Sequence, residues 1–116
     1  MNIKFIDTPK PIGNFANVRF SGKYAYISGQ GAFDARGNLI TGKVGKDLNL
    51  DEGYEAARRV GITILSVIKN DIGFDKVLKV VKILGLVNCT EDFLSQPKVI
   101  NGCSDLLVEY FGKEKG

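Results

Sequence analysis

The chain has 116 residues, of which 44% are hydrophobic, and it carries a formal net charge of +3 at pH 7. A chain of this length builds one domain around a single core, and so small a domain gains stability from self-association. The lysines are spread along the sequence, which favours a solvated surface over a nucleic-acid-binding patch. Because no stretch is apolar enough to cross a membrane or to form a signal peptide, we expect a cytoplasmic protein.

The side-chain inventory excludes several kinds of active site. The sequence contains no histidine, which excludes Ser-His and Cys-His nucleophile pairs and histidine-based zinc sites. Two cysteines, Cys89 and Cys103, are too few for a disulfide framework or a structural zinc site, so we expect no metal. Any chemistry must use carboxylates, amides, hydroxyls, lysine, arginine, thiols or backbone dipoles.

The first forty residues predict a β-hairpin and a turn. Residues 15–20 and 24–28 are rich in aromatic and β-branched side chains, as strands are, and residues 21–23 suit a tight turn between them. Residues 34–38 place Asp at the head and Gly near the end of a second turn. A further short strand is expected from Leu39.

The remaining residues predict two helices with a strand between them. Asn49 and Glu52 have the spacing of a capping box at the start of the first helix. Residues 80–87 predict a long central strand with apolar side chains on both faces, as a strand buried on two sides requires. Pro97 suits the start of the second helix and Gly112 suits its end.

The element order β-β-(β)-α-β-α predicts an α+β sandwich with the helices on one face of the sheet. Small residues in the first helix, Ala56, Ala57 and Gly61, are expected to let it lie close against that sheet. The apolar outer face of the central strand would then be covered by a neighbouring subunit. We expect residues 1–116 to form one domain.

The most informative segment for function is the end of the second strand. Gly29 and Gly31 permit close approach of a ligand or of another chain, because they carry no Cβ atom. Ser28 and Gln30 place a hydroxyl and an amide at the same point. Exposed backbone N–H groups there form a candidate cradle for a small anion. The alternative is that the glycines serve only the turn.

Several segments, in this order, resemble the RidA/YjgF family of reactive-intermediate deaminases, also labelled endoribonuclease L-PSP or translation inhibitors. The matching segments are residues 12–15, 26–30, 34–37, 42–45, 52–58, 80–88 and 96–107. The resemblance implies a chorismate-mutase-like fold, with a mixed β-sheet and two helices on one face. It also implies a homotrimer that binds its ligands in clefts between subunits.

The resemblance implies hydrolysis of reactive enamines and imines to ketoacids and ammonia, without metal or cofactor, on a small substrate held by its carboxylate. The alternative is a non-catalytic trimer of the same fold that binds a small ligand or has a regulatory role. Endoribonuclease or translation-inhibitor activity is less favoured. No histidine is present for acid–base work on a ribose, and no aromatic-basic stacking platform is visible.

The resemblance implies the following ligand-binding residues: Phe15, Ser28, Gln30, Gly31, Asn88 and Cys89. The backbone amide of Gly31 falls where the family orients its water or substrate, and Phe15 stands where the family usually has a tyrosine. Asn88 is either a site residue or a strand-end cap. Cys89 is either a reactive thiol or an inert neighbour of the cleft, and the second is favoured because no basic group beside it is evident. Cys103 is expected to be core packing.

The catalytic residues themselves stay unassigned. In the family, a carboxylate-binding arginine and a water-activating glutamate follow the second helix, and the corresponding positions lie beyond Gly116. We expect either that the sequence is part of a longer protein or that the protein is a non-catalytic relative. The first is favoured, because a sheet without the family's final strands exposes a long apolar edge.

Overall fold

The computed structural model describes residues 3–116. Its strands and helices are, in chain order, β1 (Val18–Ser21), β2 (Tyr24–Ile27), α1 (Leu50–Val67) and α2 (Gln96–Phe111). No helix in this part of the chain has the length and hydropathy of a membrane span.

The two strands form the predicted hairpin. They pair antiparallel, with Val18 opposite Ile27 and Ser21 opposite Tyr24. The turn between them uses Gly22 at φ 57°, a left-handed conformation that glycine adopts without a steric penalty. Both strands are shorter than predicted, and the strand expected from Leu39 is reduced to a single bridge with Phe33.

Helix α1 begins with the predicted capping box. The side-chain oxygen of Asn49 accepts the Glu52 N–H at 2.8 Å, and the Glu52 carboxylate accepts the Asn49 N–H at 3.0 Å. These two bonds satisfy N–H groups that have no partner within the helix. The helix continues into a π-helical turn, Ile68–Ile72, and ends at Gly73, where φ is 100°.

Helices α1 and α2 touch backbone to backbone at Gly102. A Cβ atom at this position would collide with the carbonyl group of Tyr54. One turn further along, a Cβ at Gly61 would lie 2.8 Å from Leu106 Cδ2. The prediction that Gly61 faces a sheet is therefore wrong, since it faces α2. The close approach leaves Leu65 and Leu106 with 0% exposure.

Polar pairs mark the exposed rim of the same helix contact. The Tyr54 hydroxyl donates to Asp105 Oδ2 at 2.6 Å, and this hydrogen bond raises the pKa of Tyr54. Arg58 forms an ion pair with Glu109 at 3.4 Å. Exposed pairs of this kind contribute little stability, so the glycine contact and the apolar side chains carry the interaction between the helices.

The N-terminal segment packs against the C-terminal end of α1. The Ser66 hydroxyl accepts the Ile6 N–H at 3.3 Å, and the Thr8 hydroxyl donates to the Ser66 carbonyl oxygen at 3.4 Å. Asn70 donates to the Thr8 hydroxyl at 2.6 Å. The Phe5 ring packs edge-on against Tyr110 of α2. These contacts fix the segment across both helices.

Residues 77–87, called the extended segment below, correct the prediction of a central strand over 80–87. The Val80 N–H donates to the Lys115 carbonyl oxygen at 2.7 Å. Residues 81–87 make no backbone hydrogen bond within the described part of the chain. A β-strand is defined by its pairing with a neighbour, and this segment pairs with none there.

The extended segment has two apolar faces, as its sequence predicts. The inner face packs against the helical core through Val77, Val80, Ile83 and Val87. The outer face is open and is formed by Leu78, Val81, Leu84 and Leu86. The sheet of residues 3–116 is two-stranded and antiparallel rather than mixed, and parallel pairing is limited to isolated bridges of Val44. The α+β class itself is confirmed.

Gly102→Ala should lower the free energy of unfolding by about 2 kcal/mol or more, because the new methyl group collides with backbone, which cannot rotate away. This loss exceeds the gain of about 1 kcal/mol in helix propensity. Urea denaturation of the variant and of the unsubstituted protein measures the net change in the free energy of unfolding. Asn101→Ala, on the exposed side of the same helix, is the matched control and should change stability by at most about 0.5 kcal/mol. A Gly102→Ala protein as stable as the control would contradict this account of the helix contact.

Candidate functional site

The turn after β2 is held in place by its own side chains. The Ser28 N–H donates to the Asn17 carbonyl oxygen at 2.9 Å, and the Ser28 hydroxyl donates to the Ala16 carbonyl oxygen. The Gln30 amide donates to the Asn17 side-chain oxygen at 3.4 Å and to the Ser28 carbonyl at 3.1 Å. Both candidate side chains are therefore engaged in shaping the turn.

Three backbone N–H groups of the same turn have no hydrogen-bond partner in the described residues. The N–H groups of Gly29, Gln30 and Gly31 make no hydrogen bond within residues 3–116. A Cβ atom at Gly29 would meet nothing within 4 Å, so this side of the turn is open. Three successive N–H donors are therefore available to a ligand. Binding of an anion by them stays a prediction.

Phe15 lies beside this turn. It immediately precedes Ala16, whose carbonyl accepts the Ser28 hydroxyl proton. Its N–H donates to the Gly13 carbonyl at 2.9 Å, and a Cβ at Gly13 would lie 3.1 Å from the Phe15 ring. The ring is 46% exposed. It offers an apolar surface and has no hydroxyl to donate or to accept a proton.

Asn88 belongs to a second group of residues. Its carbonyl oxygen accepts the Val44 N–H at 3.0 Å, and the Val44 carbonyl accepts the Thr90 N–H at 3.0 Å. These bonds fix the backbone at the end of the extended segment. The Asn88 side chain is exposed, and its contact with the Gly42 carbonyl oxygen is long, at 3.5 Å. The amide is therefore available to a ligand.

The two cysteines differ in their surroundings. Cys103 is buried between the helices, and this burial raises the pKa of its thiol, which confirms its assignment to the core. Cys89 is half-buried and accepts a weak hydrogen bond from the Gln96 amide at 3.6 Å. The same amide donates to the Phe93 carbonyl at 2.7 Å. Within residues 3–116, no cluster of His, Cys, Asp or Glu is able to hold a metal ion.

Comparison with known families places these groups in context. The sequence model of the family described as "YjgF/chorismate mutase-like, putative endoribonuclease" matches residues 3–116. The chain belongs to the YjgF family. Protein TCP17 of Trypanosoma cruzi is 34% identical over 117 residues, an alignment that covers 100% of this chain and 73% of TCP17.

Two solved structures share the fold of this YjgF-family chain. A putative endoribonuclease from Shewanella oneidensis MR-1 superposes with a TM-score of 0.90 at 27% identity, over 94% of this chain and 73% of that one. The protein Atu1372 of unknown function from Agrobacterium tumefaciens superposes with a TM-score of 0.82 at 32% identity, over 89% and 67%. The resemblance drawn from the sequence is confirmed, and so is the chorismate-mutase-like fold class.

The six predicted ligand-binding residues fall into two groups in this YjgF-family chain. Phe15, Ser28, Gln30 and Gly31 lie together at the turn after β2, linked through Ala16 and Asn17. Asn88 and Cys89 lie at the end of the extended segment. Within residues 3–116, no hydrogen bond joins the two groups.

Asn17 is the residue that the sequence analysis missed. Its side chain donates to the Pro9 carbonyl at 2.8 Å and accepts from Gln30, while its backbone carbonyl accepts from Ser28. It thereby connects the N-terminal segment with the turn. The available signal was an amide residue between the apolar residues Ala16 and Val18, since a polar side chain at a partly buried position needs hydrogen-bond partners.

Proposed function

We propose that this YjgF-family chain hydrolyses a small, carboxylate-bearing enamine or imine to a ketoacid and ammonia. The observation that carries the proposal is the set of three unpaired backbone N–H groups at Gly29, Gln30 and Gly31. Backbone donors fixed in advance stabilise a carboxylate, or charge that develops during reaction, without reorganising. Ser28 and Asn17 hold those donors in place.

The proposed reaction needs no redox step. The enamine tautomerises to the imine, gaining a proton at carbon and losing one from nitrogen. Water then adds to the C=N carbon and one of its protons goes to the nitrogen, which gives a carbinolamine. The carbinolamine hydroxyl loses its proton and the nitrogen gains one as the C–N bond breaks with its electron pair going to nitrogen, which leaves a ketoacid and ammonia. The chain's task is to hold the carboxylate at the turn and to orient the water, which reduces the entropic part of the barrier.

Asn88 is proposed to complete the site from another copy of the chain. Within one copy, its amide group is exposed and unconnected to the turn. An amide offers both a donor and an acceptor, which suits a water or an imine nitrogen. The outer face of the extended segment supports self-association, because contiguous exposed apolar side chains mark interaction surfaces. We propose the homotrimer that the family resemblance implies.

A second candidate function is ligand binding without turnover on the same fold. Two observations favour it. Phe15 supplies no hydroxyl, and no arginine within residues 3–116 forms a hydrogen bond to the turn 28–31. A carboxylate would then be held by backbone dipoles alone, which bind more weakly than a guanidinium fork. Ribonuclease chemistry is not favoured, because the sequence has no histidine to act on a ribose.

Asn88→Ala should reduce the kcat/KM for hydrolysis of 2-aminoacrylate by about two- to tenfold, because a hydrogen bond to a neutral partner contributes about 0.5–1.5 kcal/mol. The enamine is generated in situ from serine by a separate dehydratase, and pyruvate release is followed. Asn101→Ala, an exposed amide on α2, is the matched control and should leave kcat/KM unchanged.

Three outcomes separate the two candidate functions. Acceleration that Asn88→Ala lowers and Asn101→Ala preserves supports the deaminase. A rise in Tm with pyruvate but no acceleration of enamine hydrolysis supports the binding protein. If enamine hydrolysis is not accelerated and saturating pyruvate produces no rise in Tm, both candidate functions are contradicted.

Leu84→Asp should convert the trimer to monomers, because it places a charge in the centre of the apolar outer face. Leu84 is 79% exposed in the single chain, so the substitution itself disturbs no core contact. Leu94→Asp is the matched control, since Leu94 is 85% exposed but lies outside the extended segment. Analytical ultracentrifugation distinguishes the species. A Leu84→Asp protein with the sedimentation of the parent protein would exclude this face as the interface.

A further inference from the structure

A cleft of about 430 Å³ lies between the N-terminal segment, the turn at residues 34–38 and helix α1. Its volume falls in the range of small-molecule sites. Three cationic side chains line it, one from each of these elements: Lys4, Arg36 and Arg59. The deaminase proposal uses none of them, and the residues of the turn 28–31 do not line this cleft.

Arg59 is held in a fixed orientation at the cleft. It is half-buried on α1, and its Nε donates to the Phe33 carbonyl oxygen at 2.6 Å. Its two terminal nitrogens make no hydrogen bond or ion pair within residues 3–116. The neighbouring Arg58 instead pairs with Glu109 on the other side of the helix. Arg59 therefore presents an anchored guanidinium with its fork of donors unused, the geometry that recognises carboxylates and phosphates.

The carboxylates around the cleft offset these charges only in part. Asp7 lines the cleft but is exposed and forms no ion pair within the described residues. Asp34 Oδ1 accepts the N–H groups of Arg36 and Asn38, each at 2.9 Å, so this carboxylate is committed to its own turn. The hydrogen bond from Asn38, together with those of Arg36 and the charges of Arg36 and Arg59, lowers the pKa of Asp34. Three cations and one carboxylate, Asp7, line the cleft, and with Asp34 counted as well the cations still outnumber the carboxylates by one.

The remaining walls of the cleft are apolar. Phe5, Ile6 and Pro9 come from the N-terminal segment, and Phe33 comes from the loop whose carbonyl fixes Arg59. All four are partly buried. A charged fork and apolar side chains in one cleft match a ligand with an anionic head and an apolar body, the combination of groups usual in small-molecule sites.

We propose that this cleft binds a small carboxylate with an aromatic or branched apolar body, at a site separate from the turn after β2. The Arg59 guanidinium holds the carboxylate, Arg36 and Lys4 add positive charge at the rim, and the Phe5 and Phe33 rings contact the apolar body. The inference does not rest on the deaminase proposal, since the two sites share no residue.

Titration of the ¹⁵N-labelled protein with phenylacetate tests the proposal. Amide resonances of residues 33–37 and of Arg59 should shift and saturate, whereas phenylacetamide, which has the same body without the charge, should leave them in place. Arg59→Gln should raise the Kd for phenylacetate by about tenfold or more, equivalent to about 1.4 kcal/mol. Arg58→Gln removes the same charge one residue away and should leave the Kd within about twofold.

Arg36→Gln provides a second test, because Arg36 is exposed and its side chain makes no hydrogen bond or ion pair within the described residues. It should weaken binding even if Arg59→Gln disturbs the loop at Phe33. Equal weakening by Arg58→Gln and Arg59→Gln would reduce the effect to net charge and overturn the proposal. If the shifts do not saturate by about 10 mM phenylacetate, the affinity is negligible, and this result would overturn the proposal as well. Shifts confined to residues 28–31 would assign phenylacetate to the turn instead.

Discussion

The backbone contact between α1 and α2 at Gly102 determines how the helical core packs. A residue without a Cβ lets α2 lie directly against the Tyr54 carbonyl, and this approach brings Leu65 and Leu106 to complete burial. The resulting helix pair is the platform for the N-terminal segment and the extended segment. The N-terminal segment is bonded to Ser66 on α1, and the extended segment packs its inner face on the same core. A domain of this size buries little apolar surface in total, so a small loss of fit at this contact affects the whole molecule.

Two kinds of surface have no partner within a single copy. The first consists of backbone N–H groups. At the turn after β2 the side chains of Ser28 and Gln30 are turned inward to hold the loop, and the N–H groups of residues 29–31 are left for a ligand. The other is apolar. The extended segment covers the helices with one face and leaves the other open. The homotrimer proposed above is the arrangement in which the open face would be covered and Asn88 of one copy would join the turn of another.

The elements that the sequence predicts well are those decided by neighbouring residues. The capping box at Asn49 and the glycine turn of the hairpin depend on two to four residues in a row, and both are present as predicted. Residues 80–87 show the opposite case. Their two apolar faces were predicted, but pairing depends on strands elsewhere, and within the described residues the segment has none.

Gly102 was overlooked although a glycine inside an apolar helix stripe carries its own signal. It costs helix stability, so it is kept only where a close approach requires it. At the site, residue types predicted Ser28 and Gln30, while the bonding role of Asn17 needed the three-dimensional path of the N-terminal segment.

The proposed function depends on anion binding by the backbone amides of residues 29–31. Its sharpest test is titration of the ¹⁵N-labelled protein with pyruvate, the ketoacid that the proposed reaction releases. We expect saturable shifts of the Gly29, Gln30 and Gly31 amide resonances, accompanied by the side-chain amide of Asn88. Acetone has the same ketone without the carboxylate and should produce neither. A folded protein whose resonances at residues 29–31 are unaffected by saturating pyruvate, or move equally with acetone, would contradict the account.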